Sequence, residues 1–320
     1  MKQFKQAVWM IVVMFVCACA QENTNKQIAY IASDRSIPFW QIMGKGVVSK
    51  ALEYGYEIEL LDSKNLAKVE LEHTIKAIQN RVDAIIISPT NSSRCVTVLK
   101  LAQAANIPVV VLDIGTDAGE YLSFISADNK KGAYDIGKVL ANKMKQKGIE
   151  TGEVGIIAIP QKRLNGQLRT TGFMQAMQEE GIKTADIKQQ VNFSLEETYM
   201  FANELIIKYD DLKAIWLQGS DKYQGALNAI KDANKEGEIL LITFDAEPEF
   251  LELIPKEVLV GAAMQQPFLM GQEAVVVLHE HFNGNAVARN IQLPILAISQ
   301  ENIHEKLFII KRNVLGLEGE

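Results

Sequence analysis

Acidic and aromatic side chains follow several short apolar stretches of this 320-residue chain. Phe39 and Trp40 come shortly after the apolar run that begins at Ile28, and Asp113 and Asp245 stand at the ends of two later runs. A carboxylate accepts several hydrogen bonds, and an aromatic ring covers the C–H face of a sugar or attracts a cation. These residue types predict the binding of a small polar ligand. The alternative for each aspartate taken alone is a helix cap or a turn residue.

Polar, small or aromatic residues also follow the other apolar runs, in both halves of the chain. Open α/β sheets bind their ligands beyond the carboxyl ends of the strands, so we expect these positions to face one cleft. Asp34, Arg163 and Asp221 stand in such places. The residues that we predict to bind the ligand are Ser33, Phe39, Trp40, Ser88, Asp113, Gln167, Arg169, Phe193, Gly219, Asp245 and Gln265.

Signatures of catalysis and of metal binding are absent from the sequence. Gly44-Lys45-Gly46 lacks the spacing of a dinucleotide or phosphate loop and is interpreted as helix packing. His279-Glu280-His281 places its histidines at i and i+2, on different sides of a helix, so they are interpreted as exposed polar residues. Cys95 is interpreted as a small buried hydrophobic residue. We therefore predict that the protein is not an enzyme and uses neither a cofactor nor a metal.

Short apolar runs alternate with helical patterns along the chain, which predicts parallel sheets joined by helical crossovers. The predicted helices cover residues 39–54, 66–81, 93–105, 129–147, 165–180, 195–208, 222–232 and 268–282. The predicted strands are Ile28–Ala32, Glu57–Leu61, Ala84–Ile87, Val109–Leu112, Leu122–Ser126, Val154–Ile159, Ile187–Val191, Ala214–Leu217, Ile239–Thr243, Val258–Ala262, Ile291–Leu293 and Ile295–Ile298.

Two successive series of strands and helices predict an α/β fold of two doubly wound parallel-sheet lobes joined by hinge strands. Residues 28–126 and 266–293 are assigned to the N-terminal lobe. Residues 127–265 and 294–312 are assigned to the C-terminal lobe, because the last part of the chain is too short for a third domain and must return to both lobes.

The first residues have the pattern of an export signal. A short basic head precedes an apolar run of roughly ten residues, too short to span a bilayer. The run ends in Val16-Cys17-Ala18-Cys19, which looks like a bacterial lipobox. We expect a signal peptide at 1–18, lipidation of Cys19, a tether at 19–27, and a mature protein in the periplasm or at the cell surface. An ordinary signal peptide and a core helix are the alternatives.

Five short motifs resemble those of the type I periplasmic binding proteins, in particular the ribose-binding-like branch that serves sugar transporters. They are Ile37-Pro38-Phe39-Trp40, Ile87-Ser88-Pro89-Thr90-Asn91, Ser126-Ala127-Asp128-Asn129, Thr243-Phe244-Asp245-Ala246 and Gln265-Gln266-Pro267. The resemblance covers nearly the whole chain from Ile28 to Lys311. It implies that Phe39 and Trp40 stack on the ligand, that Asp113 and Asp245 accept from its hydroxyls, and that Gln265 donates near the hinge.

The chain departs from the family pattern at several positions of the implied site. Ile37, Ser88 and Gly219 stand where the family has asparagines, and Ile114 stands where an arginine often follows the first aspartate. Arg169 matches an arginine that contacts the sugar in some members, with a surface ion pair as its alternative. These changes leave the identity of the ligand open.

The resemblance implies a monomeric lipoprotein that captures a sugar or polyol and delivers it to an ABC permease in the membrane. An alternative is a sensor that presents a sugar-like or amine ligand to a membrane histidine kinase or chemoreceptor. The net charge of −6 and the lack of a basic cluster argue against nucleic acid as a partner.

Overall fold

The computed structural model describes residues 25–149 and 151–317. The predicted signal peptide, Cys19 and most of the predicted tether lie outside the described residues. Within the described part, no helix combines the length and apolar character that a membrane crossing requires.

The first half of the chain forms strands whose apolar residues are mostly buried, alternating with helices that pack on the sheet. Pro38 begins the first helix, where its missing N–H needs no partner, and Gly55 ends that helix in a left-handed conformation with φ 72°. The elements are β1 (Gln27–Ala32), α1 (Pro38–Tyr54), β2 (Glu57–Asp62), α2 (Ala67–Gln79), β3 (Ala84–Ile87), α3 (Ser92–Ala104), β4 (Val109–Leu112) and β5 (Ser123–Ala127).

The second half repeats this pattern. Asp128 caps the helix that leads into it, because its side chain accepts a hydrogen bond from the backbone N–H of Lys131. The elements are α4 (Asn129–Gln146), β6 (Glu153–Ala158), α5 (Leu164–Glu179), β7 (Lys183–Gln189), α6 (Leu195–Lys208), β8 (Leu212–Leu217), α7 (Tyr223–Asp232), β9 (Leu240–Phe244), α8 (Phe250–Leu253) and β10 (Gly261–Met264).

The last part of the chain contributes to both sheets. Its elements are α9 (Pro267–Phe282), β11 (Asn290–Leu293), β12 (Leu296–Ser299), α10 (Ile303–Ile309) and a π-helical turn at Ile310–Val314. The first sheet has the order β11-β5-β4-β3-β1-β2 and is parallel throughout. The second has the order β12-β10-β9-β8-β6-β7, in which β12 is antiparallel to β10. The predicted fold of two doubly wound, mainly parallel sheets is confirmed, while the exact lobe boundaries stay a prediction.

Two glycines let α1 and α9 approach closely. A Cβ atom on Gly46 would lie 2.1 Å from the backbone oxygen of Phe268, and one on Gly271 would lie 2.2 Å from that of Met43. No side chain fits in such a gap, so the backbones of the two helices meet directly. Gly44-Lys45-Gly46 is therefore a helix-packing segment, as the sequence predicted.

Two predicted strands are displaced in the structure. The strand predicted at 187–191 begins at Lys183 and ends at Gln189. It is a largely exposed edge strand, and its first residues are mostly polar, so the sequence lacks an apolar run at its start. The strand predicted at 258–262 lies at Gly261–Met264. Val258 and Leu259 instead donate from their backbone N–H groups to the carbonyl oxygen of Leu253, so the first part of that apolar run closes a turn.

His279 differs from its prediction as an exposed residue. Its ring stacks on Tyr54 with centroids 3.8 Å apart, and its Nδ1 lies 2.7 Å from the hydroxyl of Tyr56. Within residues 25–149 and 151–317, no group of three potential metal ligands is found. Cys95 is buried as predicted, and burial raises the pKa of its thiol to about 12.

Candidate ligand-binding site

Asp113 and Asp245 stand at matching positions of the two sheets, immediately after β4 and β9. Both have a left-handed backbone, with φ 57° and 66°, and both N–H groups donate to a carbonyl oxygen of the adjacent strand at 2.9 Å. Asparagine and aspartate tolerate this conformation better than most residues. It turns each side chain away from the strand direction and toward the space beyond the sheet edge.

Two side chains donate hydrogen bonds to the carboxylate of Asp245. Gln265 Nε2 donates to its Oδ1 at 2.6 Å, and Arg169 Nη1 lies 3.4 Å from its Oδ2. Asp113 has a different environment, because only its Oδ2 has a partner, Asn165 Nδ2 at 3.3 Å. The Oδ1 atom of Asp113 is buried without a hydrogen-bond partner.

Burial raises the pKa of both carboxyls. That of Asp113 rises to about 6, with the nearby Arg169 opposing the effect of burial and Asp245 adding to it. The pKa of Asp245 is also raised by burial, against the opposing influence of Arg169 and Gln265. Asp113 is therefore open to protonation in mildly acidic solution.

Arg169 is fixed in one position by the C-terminal lobe. Its Nε donates to Asn129 Oδ1 at 2.8 Å, and its Nη1 donates to the carbonyl oxygen of Gln218 at 2.6 Å. Its guanidinium carbon lies 3.8 Å from the ring centroid of Phe244. Only 2% of Arg169 is exposed, so the alternative of a surface ion pair is wrong.

Aromatic rings enclose the space between the aspartates. Phe39 and Trp40 meet edge to face with their centroids 4.9 Å apart. Phe193 lies beyond the end of β7 with φ 53°, and the guanidinium carbon of Arg163 is 5.4 Å from its ring centroid. Apolar ring faces beside buried acids are typical of sites that bind sugars, whose C–H and O–H groups need both kinds of contact.

These residues line one small cavity. Two atoms of its lining side chains besides Asp113 Oδ1 are buried and unpartnered: Arg163 Nε, a donor, and Gln265 Oε1, an acceptor. The lining residues are Ile37, Phe39, Trp40, Asp113, Ile159, Arg163, Arg169, Gln190, Phe193, Gly219, Asp221, Asp245 and Gln265.

A larger cavity lies elsewhere, between the end of α4, α7 and the segment before β10. Leu227, Ile239 and Val258 give it apolar walls, and Lys147 and Lys231 are among its polar residues. None of the buried unpartnered atoms of the described residues belongs to its lining. The cavity between Asp113 and Asp245 is therefore the better candidate for a specific site, although it is smaller.

Residues 28–286 match the periplasmic binding protein domain family. The chain belongs to this family. The resemblance found in the sequence to type I periplasmic binding proteins is thereby confirmed, and the family comprises proteins that bind substrates.

Relatives and solved structures agree with this assignment. The chain is 26% identical over 289 residues to the ribose import binding protein RbsB of Haemophilus influenzae, covering 90% of this chain and 97% of the relative. It is 28% identical over 266 residues to RbsB of Bacillus subtilis, covering 82% and 84%. A carbohydrate transporter solute-binding protein of Agrobacterium radiobacter in complex with D-arabinose has the same fold, with a TM-score of 0.83, 21% identity and coverage of 91% and 99%.

Most of the predicted site residues of this periplasmic binding protein lie together. Eight of the eleven line the cavity between the lobes: Phe39, Trp40, Asp113, Arg169, Phe193, Gly219, Asp245 and Gln265.

Three predicted site residues do not line this cavity. Ser33 is fully buried at the end of β1. Ser88 is also fully buried, and its hydroxyl pairs with that of Tyr30 at 3.2 Å. Gln167 lies on the exposed side of α5, where its Nε2 donates to the carbonyl oxygen of Gln161 at 2.9 Å. Position after a strand places a residue at the sheet edge but does not determine where its side chain points.

Five lining residues were not among those predicted to bind the ligand. Arg163 and Asp221 were expected only to face the cleft, because they follow strands. Ile37 was noted only as a departure from the family pattern, and Ile159 and Gln190 gave no signal, since an apolar or amide residue at a strand end is common.

Proposed function

We propose that this periplasmic binding protein captures a neutral polyhydroxy ligand, a sugar or polyol, between its two lobes and delivers it to an ABC permease. The observation that carries the proposal is the set of buried unpartnered atoms around the cavity. Asp113 Oδ1 and Gln265 Oε1 need donors, and Arg163 Nε needs an acceptor. A hydroxyl group both donates and accepts, so a polyhydroxy ligand satisfies all three.

A cationic amine fits the same cavity less well. An ammonium group only donates, so it leaves Arg163 Nε without a partner. Arg163 and Arg169 both line the cavity and would repel a cation. The aromatic rings that suit a cation suit the C–H face of a sugar equally. The proposal is therefore a neutral ligand rather than an amine.

Import is the favoured role over sensing. The relatives described above are named ribose import binding proteins. The same capture of a ligand would also serve a sensor that contacts a histidine kinase or chemoreceptor, but no residue of the site favours that role. We propose that the protein acts as a monomer, because the cavity is completed by residues of one chain.

We also propose that Cys19 is lipidated and holds the protein at a membrane outside the cytoplasm. The lipobox-like sequence before Cys19 supports this assignment. Fractionation of cells tests it: the protein is expected in the membrane fraction, and a Cys19→Ser variant in the soluble fraction. Equal partition of both variants would contradict lipid anchoring at this residue.

A thermal-shift screen of the purified protein tests the proposed ligand class. The protein is first unfolded and refolded to remove any carried ligand, then screened against pentoses, hexoses, polyols and ammonium compounds. A ligand at about one hundred times its Kd stabilises the folded state by about 2.7 kcal/mol, which raises Tm by about 5 °C. We expect such a shift with a sugar or polyol. A shift with ammonium compounds alone would contradict the proposal.

A further inference from the structure

Arg163 connects the two halves of the cleft. It stands between β6 and α5, at the N-cap position of that helix, with an extended backbone. Its Nη2 donates to Asn65 Oδ1 at 2.8 Å. Asn65 lies in the loop between β2 and α2, and β2 is a strand of the other sheet. This hydrogen bond therefore crosses the space between the lobes.

The loop that carries Asn65 is itself held in place. The N–H of Asn65 donates to the carbonyl oxygen of Ser33 at 2.7 Å, and its backbone is left-handed with φ 56°. Asparagine is one of the few residues other than glycine that adopts this conformation readily. The amide oxygen that Arg163 contacts is therefore presented by a fixed loop of the N-terminal lobe.

The guanidinium of Arg163 is buried, and one of its donors has no partner. Only 7% of the residue is exposed. Among the described residues, Arg169 and Arg289 form ion pairs, whereas Arg163 forms none. Its Nε is buried without an acceptor. A buried cation with an unmet donor destabilises the protein unless another group supplies the missing interaction.

The surroundings of Arg163 show where such a group would lie. Arg163 lines the same cavity as Asp113 and Phe193. Ile114, which follows Asp113, is fully buried and apolar, so that position offers no donor. Arg163 Nε is thus a buried donor of this cavity without an acceptor, whereas Arg169 uses its Nε and Nη1 within its own lobe.

We propose that Arg163 couples ligand binding to the contact between the lobes, with Nε donating to a ligand oxygen while Nη2 holds Asn65 of the opposite lobe. This inference rests on the proposed function and specifies it, because the ligand must present an acceptor oxygen beside Arg163. One guanidinium then makes both bonds from a single rigid plane. The ligand oxygen orients the plane for Asn65, and Asn65 orients it for the ligand.

A double-mutant cycle tests the coupling, with Kd measured by calorimetry for a sugar or polyol found in the thermal-shift screen. Arg163→Gln removes both bonds and is expected to weaken binding about tenfold to hundredfold. Asn65→Gly keeps the left-handed backbone accessible and removes the bond between the lobes, so it is expected to weaken binding about threefold. In the double variant the loss is expected to equal that of Arg163→Gln alone, because the bond to Asn65 is already absent.

The ligand-free Tm separates this role from a structural one. Since the buried cation is unpaired, Arg163→Gln is expected to keep or raise Tm while it weakens binding. Arg289→Gln, which breaks an exposed ion pair with Glu120, is the control and should leave Kd unchanged.

Two outcomes would overturn the inference while sparing the proposed function: an unchanged Kd for Arg163→Gln, or additive losses in the double variant. If the wild-type protein binds no sugar or polyol, both proposals fail together.

Discussion

Asp113 and Asp245 stand at matching strand ends with the same left-handed backbone, yet they differ in their partners. Both carboxylate oxygens of Asp245 have protein donors, whereas Asp113 keeps one buried oxygen free. The two acids therefore have different environments in the cavity. Asp245 organises Gln265 and Arg169, and we propose that the unpartnered Oδ1 of Asp113 accepts a hydrogen bond from the ligand.

The first prediction concerns Asp113→Asn. Asparagine keeps the left-handed backbone and the size of the side chain but loses the charge. We expect Kd to rise about tenfold to hundredfold, which corresponds to the free energy of one charge-assisted hydrogen bond. Because a buried, partly unpartnered carboxylate is removed, Tm of the ligand-free protein should stay the same or rise. Asp210→Asn, on the surface, is the control. A large fall in Tm without a change in Kd would show that Asp113 is structural.

The second prediction concerns Asp245→Asn, which is expected to weaken binding and also to lower the ligand-free Tm. The charge that faces the buried Arg169 is lost, and an unpaired buried cation is destabilising. Calorimetry and thermal unfolding measure the two effects. If Asp245→Asn changed neither Kd nor Tm, the ligand would bind elsewhere and the pair with Arg169 would be unimportant.

The third prediction is that affinity falls in mildly acidic solution. A ligand hydroxyl donates to the ionised form of Asp113, whose pKa is about 6 in the ligand-free protein. Binding is therefore full well above pH 6 and weakens as pH falls through that value. Between pH 7 and pH 5 we expect Kd to rise about tenfold, the change for one titrating group of this pKa.

The same pKa has the opposite consequence for the ligand-free protein. A carboxyl whose pKa is raised on folding binds its proton more tightly in the folded state. Asp113 therefore contributes to stability below about pH 4, and this contribution is lost as pH rises toward 6.

In Asp113→Asn the pH dependence of Kd should be weaker. Constant wild-type affinity from pH 7.5 to 5 would argue against an ionised Asp113 as acceptor.

The fourth prediction uses the tryptophans of the described residues. Trp40 lines the cavity, while Trp216 is fully buried and stacks on Phe173 at 3.9 Å. Ligand binding should change the emission of Trp40 alone. In Trp40→Phe the remaining emission of Trp216 should not respond to ligand, whereas calorimetry should still detect binding. A full fluorescence response in that variant would place the ligand away from Trp40.

The fifth prediction compares two glycines of α1. A Cβ atom on Gly46 would lie 2.1 Å from a backbone oxygen of α9, whereas one on Gly44 would meet Tyr30 at an ordinary 3.5 Å. Gly46→Ala should therefore lower the free energy of unfolding by about 3 kcal/mol or more, while Gly44→Ala should raise it by up to about 1 kcal/mol. Urea unfolding measures both. Equal stability of the two variants would contradict the close approach of α1 and α9.

The sequence predicted the sheets well because buried parallel strands are short apolar runs. The residues of β3 and β4, for example, contain no polar side chain. It misplaced β7, where exposed polar residues replace the apolar signal, and β10, where an apolar turn precedes the strand.

The site was predictable only in part. The two aspartates could be predicted because each directly follows a strand, and that position is enough to bring them to the cleft. The contact between Asn65 and Arg163 joins residues 98 positions apart in the chain, so no local sequence pattern predicts it. The side-chain directions of Ser33 and Ser88 also depend on packing that strand position does not specify.

A crystal structure of the protein with the most strongly stabilising sugar or polyol from the screen tests the central claim most directly. We expect the ligand between Asp113 and Asp245, with one of its hydroxyls within hydrogen-bond distance of Asp113 Oδ1 and Gln265 close to another. A ligand bound instead in the larger cavity beside Leu227 and Val258, with the space between the two aspartates empty, would contradict it.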